Sequence, residues 1–170
     1  TTGAGRTDAG VHALGQVASF ELAEGAADLG ALTRSLNGLA GPGISVHEVR
    51  EARPGFSARF DAIAREYRYR LAVGSSPPVF LSPYAWWPKK ALDLDAMRRG
   101  AATLVGEHDF RSFCVASSAE GQRTVRSVDV IEVTAEHELG EPVVHVRVVG
   151  NAFLHSMVRV IVGTLVEAGT

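Results

Sequence analysis

A chain of 170 residues has room for one domain or two small ones, and at 46% hydrophobic and 21% charged it reads as globular rather than disordered. Its single cysteine, Cys114, excludes an internal disulfide framework and a multi-cysteine zinc site, and it suits a reducing, cytoplasmic setting. A net charge of −2 does not fit a generic basic nucleic-acid binder. Lysine is confined to Lys89 and Lys90, so any RNA surface must be made of arginines collected in one place.

The loop Gly5-Arg6-Thr7-Asp8-Ala9-Gly10-Val11-His12-Ala13 comes first. Residues 16–20 then read as a short strand. Residues 28–37 have helical spacing, with Leu29, Leu32 and Leu36 on one face, and the glycines and Pro42 of residues 38–43 end that helix. Residues 44–49 read as a strand. Residues 62–73 form the clearest long strand: Tyr67, Tyr69, Leu71 and Val73 share one face, and Glu66, Arg68 and Arg70 the other. Gly74-Ser75-Ser76-Pro77-Pro78 is a loop and a boundary between two halves, 1–74 and 75–170. Tyr84-Ala85-Trp86-Trp87-Pro88 is a packing segment near it.

Residues 94–105 are helical, with Asp93 as N-cap and Leu94, Met97, Ala101 and Leu104 in register. Residues 125–133 and 143–149 read as strands of a hairpin turned by residues 136–142. Residues 154–167 form the last helix, with Leu154, Val158, Ile161 and Leu165 on the core face. Its apolar run, residues 157–168, is too short to span a bilayer and carries Arg159 and Glu167. The sum is a mixed α/β (α+β) fold with largely antiparallel sheet.

Asp8 is the foremost candidate for chemistry. A lone loop aspartate is usually a cap, but Gly5 and Gly10 remove bulk on either side of it and would let a planar ligand approach the backbone. Arg6 adds a planar cation suited to phosphate or base stacking. His12 follows Asp8 at a spacing of four, yet two ligands are too few for a metal. Adjacent Glu107, His108 and Asp109 cannot easily face one ion, and a helix-to-loop connection with caps suits them better. His145 and His155 read as structural or surface residues, and Cys114 as packing. By helix geometry alone, Arg159 at the edge of the apolar arc would lay its stem on the core and its head in water. Tyr67 and Tyr69 would be half-buried strand aromatics.

Four blocks alter that balance. The string Gly5-Arg6-Thr7-Asp8-Ala9-Gly10-Val11-His12 resembles the active-site signature of the tRNA pseudouridine synthase A family. Phe56-Ser57-Ala58-Arg59-Phe60 with Ala64-Arg65-Glu66-Tyr67-Arg68-Tyr69-Arg70 is similar to its second block. Leu104-Val105-Gly106-Glu107-His108-Asp109-Phe110-Arg111-Ser112-Phe113 resembles the third. Asn151-Ala152-Phe153-Leu154-His155-Ser156-Met157-Val158-Arg159, running on to Ile161-Val162-Gly163, resembles the fourth. The family has a strand and a helix before the first block and continues past the fourth, so the resemblance implies a chain incomplete at both ends.

The resemblance implies the pseudouridine synthase fold, two α/β halves around an extended sheet with a cleft for RNA. It implies isomerisation of uridine to pseudouridine at tRNA positions 38, 39 and 40 in the anticodon stem-loop. It also implies a homodimer that uses no metal or organic cofactor and no membrane. Asp8 would be the central carboxylate, acting as nucleophile or base, and Arg159 its ion partner. Tyr67 would stack on the base or move a proton. Arg6 would fill the gap left by a flipped nucleotide. Arg6, Arg59, Arg68 and Arg70 would line a basic surface opening onto Asp8. The alternatives are a non-catalytic RNA-binding fragment and a metal-dependent hydrolase built on Asp8, His12 and the Glu107 cluster.

Overall fold

The computed structural model describes residues 1–23, 28–121 and 123–170. It divides the chain into two compact units, Thr1–Ile63 and Ala64–Thr170.

In the first unit, strands β1 (Thr2–Gly3) and β2 (Ala18–Ser19) pair antiparallel, and helix α1 (Leu29–Ala40) follows. Asp28 starts that helix: its Oδ1 accepts the N–H groups of Gly30 and Ala31 at 2.9 and 3.1 Å. The helix runs through Gly38 and stops only at Gly41, whose φ of 72° favours glycine. The stop falls within the expected 38–43 break, past Gly38, because one exposed glycine weakens a helix without breaking it. Residues 44–49, expected as a strand, pair with no strand among the described residues. Asn37 holds them instead: its Nδ2 donates to the Val46 carbonyl at 2.9 Å, and its Oδ1 accepts the Val46 N–H at 2.7 Å.

The second unit is built on a four-stranded antiparallel sheet in the order β3-β6-β5-β4. Its members are β3 (Arg65–Ala72), β4 (Gly106–Asp109), β5 (Val125–Glu138) and β6 (Glu141–Gly150). β5 and β6 form the expected hairpin, but the turn is only Leu139-Gly140, both at positive φ, because pairing continues out to Glu138 opposite Glu141. β4 corrects the expected helix-to-loop connection. Residues 107–109 pair with Ser127, Arg126 and Val125 instead.

Alternation along the strands sorts the two faces. Tyr67, Tyr69 and Leu71 stand beside Val148, Val146 and Val144, which stand beside Ile131, Val133 and Ala135. Helices α2 (Leu94–Ala102) and α3 (Met157–Ala168) cover this face, burying Met97, Ala101, Met157, Ile161, Val162, Leu165 and Val166 with Leu71, Val144, Val146 and Val148 in one core. Each fully buried Val, Leu, Ile or Met side chain contributes about 1.5–3 kcal/mol. Asp93 caps α2 as expected. Val158 is only half-buried, while Leu154 is buried just ahead of the helix, whose first turn begins after Ser156 at φ 63°.

Trp86 lies along the free edge of β3, donating to the Arg70 carbonyl at 2.9 Å and accepting from Ala72 N–H at 2.8 Å. That contact closes an edge that would otherwise offer unpaired groups. Among the described residues, no helix is long and apolar enough to cross a membrane.

Candidate active site

In the first unit, the glycine-rich loop is a turn held by its own backbone. The Asp8 carbonyl accepts the Val11 N–H at 3.0 Å, and Gly10 takes a φ of 79°. Gln16 Nε2 donates to the Gly5 carbonyl at 2.9 Å, and Ala4 N–H donates to the Val17 carbonyl at 2.8 Å. The β1–β2 pair thus clamps both ends of the loop. Asp8 is half-buried, whereas Arg6, Thr7 and His12 are exposed.

The second block is tied to the same small sheet. Ala58 is buried, and its N–H donates to Ser19 Oγ at 3.1 Å. The Asp61 carboxylate accepts from the Ser57 N–H at 2.7 Å and from Arg53 at 2.6 Å, closing a turn around Arg59. Arg59 is exposed and lies over the Phe60 ring, 5.5 Å from its centre. The unit therefore carries Asp8 with Arg6 and Arg59.

In the second unit, Tyr67 is half-buried on the helix-covered face of β3. Its ring meets Phe153 edge-to-face at 5.2 Å and 87°. Arg159 is exposed in the first turns of α3. The segment leading into α3 is fixed from three sides. Asn151 Oδ1 accepts the Ser127 N–H at 3.1 Å, Arg65 Nη1 donates to the Asn151 carbonyl at 2.7 Å, and Val115 N–H donates to the His155 carbonyl at 3.3 Å. Gly150 is needed here, since a Cβ would fall 2.6 Å from the Ser127 carbonyl.

Arg68 and Arg70 point to the face opposite Tyr67, as period-two alternation requires. Arg68 comes within 4.0 Å of Glu66. Arg70 does not join a free cationic surface: Glu138 grips its guanidinium at 2.7 and 3.0 Å, and that hydrogen bond and charge hold the Glu138 carboxyl below its ordinary range. Arg147, opposite Arg68, is shared between Glu66 at 3.0 Å and Glu132 at 2.9 Å. This face is a ladder of ion pairs with little net charge, so the basic-surface expectation is corrected at Arg70.

Two residues of the blocks carry more than their sequence showed. Arg65 anchors the fourth block to β3, and Phe153 supplies the wall against which Tyr67 stands. Both lie within the similar blocks, which was the only available signal. Among the described residues, no three histidine, cysteine, aspartate or glutamate side chains gather to hold a metal. Glu107, His108 and Asp109 alternate along β4, and His108 Nε2 bonds the Val105 carbonyl at 3.0 Å.

The family model described as tRNA pseudouridine synthase matches residues 101–170. Similar proteins match almost the whole chain. The tRNA pseudouridine synthase A of Geobacter sulfurreducens is 43% identical over 165 residues, 97% of this chain and 65% of that protein. Its namesake from Leptospira biflexa is 40% identical over 98% of this chain and 62% of that protein. That of Frankia casuarinae is 43% identical over 99% of this chain and 60% of that protein. The chain belongs to the tRNA pseudouridine synthase A family, and it spans about 65% of the length of the Geobacter relative.

Proposed function

We propose that the protein isomerises uridine to pseudouridine in the anticodon stem-loop of tRNA, at positions 38, 39 and 40, as a cytoplasmic homodimer. The observation that carries this reading is the match of nearly the whole chain to proteins named tRNA pseudouridine synthase A.

The reaction breaks the N1–C1′ bond, turns the base and joins C5 to C1′. The proton on C5 leaves and N1 gains one, so no atom is gained or lost. Asp8 is the carboxylate for the central step, as nucleophile or as base, and Arg159 is the cation that keeps it ionised. Tyr67 stands by the base with its ring and its hydroxyl. Arg6 occupies the stack vacated by the flipped nucleotide, because a base inside a helix is out of reach of chemistry. Arg59 and Arg68 contact phosphates.

The test is Asp8→Asn in the full-length protein. The amide keeps the size of the carboxylate and loses its charge. Pseudouridine formation in an anticodon stem-loop should vanish, read by chemical labelling of the product, while the binding titration stays near wild type. Full turnover would sink the assignment. Loss of binding together with turnover would make Asp8 a shaping residue of the loop.

A further inference from the structure

A second group of arginines gathers where β4, the turn after it and the start of β5 come together. Arg126 on β5 lies opposite His108 of β4 and is half-buried. Its Nη1 donates to the carbonyls of Arg123 at 2.7 Å and Val125 at 2.8 Å. Its Nε is buried and finds no acceptor among the described residues. A buried donor without a partner is costly, and such groups in native proteins call for a missing partner.

The electrostatics point the same way. Burial and the nearby charge of Arg123 push the Arg126 guanidinium below its ordinary range, with the Cys114 thiol a weaker influence in the other direction. Cys114 Sγ donates to the Arg111 carbonyl at 3.4 Å, and Cys114, Arg111 and Ser112 line a cleft of about 370 Å³. Glu120 also lines it. Among the described residues, though, no carboxylate comes within ion-pair distance of Arg111, Arg123 or Arg126. Asp109 feels the Arg111 charge, but its carboxylate is engaged by Thr124 and by the Arg111 N–H. By contrast Arg70, Arg98 and Arg147 of the same unit each hold a carboxylate within 3.0 Å.

We propose that Arg126 and Arg123, with the adjoining cleft at Arg111 and Cys114, hold a backbone phosphodiester of the RNA substrate. A phosphate seated beside the exposed Arg123 and the half-buried Arg126 separates the two cations, and the planar guanidinium fork suits its oxygens. The same turn is joined to the segment that carries Arg159 through the Val115–His155 hydrogen bond, so a strand bound here is positioned with respect to α3. Arg123 and Arg126 are positioning residues, and the assignment rests on the RNA substrate proposed above.

The experiment titrates a labelled anticodon stem-loop onto the full-length protein over a series of salt concentrations, beside pseudouridine formation at saturating RNA. Arg123 is exposed, so Arg123→Gln leaves the fold intact. Its affinity should fall roughly three- to tenfold, and the slope of log affinity against log salt should lessen by about one, with kcat unchanged. Arg126→Lys keeps the charge but not the fork, and should weaken binding with the slope retained. Unaltered affinity and slope in Arg123→Gln and Arg126→Lys would overturn the proposal. So would inorganic phosphate binding that the variants abolish while RNA binding is untouched, since the site would then serve free phosphate. A wild type that binds with these slopes but converts no uridine would defeat the proposed function and leave this site standing.

Discussion

His145 lies on the ion-paired face of the sheet, only 6% exposed, and neither ring nitrogen makes a hydrogen bond among the described residues. The Glu138 and Glu136 carboxylates stand 3.5 and 3.9 Å from Nε2, with Arg70 and Arg68 also facing the ring. Burial depresses its pKa below the ordinary 6.5 and outweighs the two glutamates, which raise it. The unfolded chain therefore binds this proton more readily than the folded one. His145 contributes stability that is complete above about pH 6.5 and is lost as pH falls through its lower folded value. Glu66 and Glu138, held down by Arg147 and Arg70, lose their contribution only further below, under their ordinary 4.5. The thermal midpoint should thus fall in two stages on acidification, and His145→Gln should erase the first. A first stage that survives in the variant would assign it to another group. At the same scale, Tyr67→Phe keeps the contact with Phe153 and removes only the hydroxyl. If that hydroxyl moves a proton, kcat for uridine conversion should drop about 10²–10⁴-fold with little change in RNA affinity. A kcat within twofold of wild type would leave Tyr67 a stacking role alone.

Among the elements, α2 and α3 meet so closely that two glycines of α3, one inside it and one at its end, have opposite fates. Gly169 closes α3, and a Cβ there would lie 2.8 Å from Met97 Cγ and 3.0 Å from the Asp93 carbonyl, beside the bond by which Asp93 N–H holds the Gly169 carbonyl at 2.8 Å. Gly169→Ala should destabilise by about 1–3 kcal/mol through overpacking. Gly163, inside α3, has open space around a Cβ, so Gly163→Ala should stabilise by about 0.5–1 kcal/mol. Denaturant midpoints of the two variants check both signs. Elements with a strong local signal could be read from the sequence: the alternation of β3, the Asp93 cap of α2 and the β5–β6 hairpin. The misreadings occur where a distant partner decides. Residues 44–49 have strand-like composition, but the Asn37 amide takes both backbone groups of Val46. Polar residues 107–109 became a strand because β5 offers them an edge. The candidate site follows the same rule. The glycine-clamped Asp8 and the face of Tyr67 are local facts. The bond from Arg65 to the Asn151 carbonyl spans 86 residues and has no local trace.

The two units of the molecule differ in how much they bury. Every large buried side chain, from Leu71 to Leu165, belongs to Ala64–Thr170, and among the described residues of Thr1–Ile63 only Ala58 is a buried hydrophobic. Helix α1 buries no residue, while Leu14, Phe60 and Ile63 are 95%, 81% and 93% exposed. The second unit also owns the longer ladders, β5 with β6 and β3 with β6, whereas β1 and β2 share two residue pairs. Opening free energy follows buried apolar contact and protected hydrogen bonds. For this chain of 170 residues, then, hydrogen exchange should be fast in residues 1–23 and 28–63 and slow along β5, β6 and α3. Brief proteolysis should trim the first unit and leave a resistant product beginning near residue 64, identified by its mass. The loop that carries Asp8 would then sit in the readily opened part of the chain, while Tyr67 and Arg159 sit in the resistant part. Uniform protection across both units, or cleavage first within β5 or β6, would show that the first unit draws stability from contacts beyond its own small core. A stem-loop RNA bound at Asp8, Arg6 and Arg59 should slow exchange in residues 5–11 and raise their protection with RNA concentration. An RNA that protects only the second unit would place the binding energy on its arginines alone.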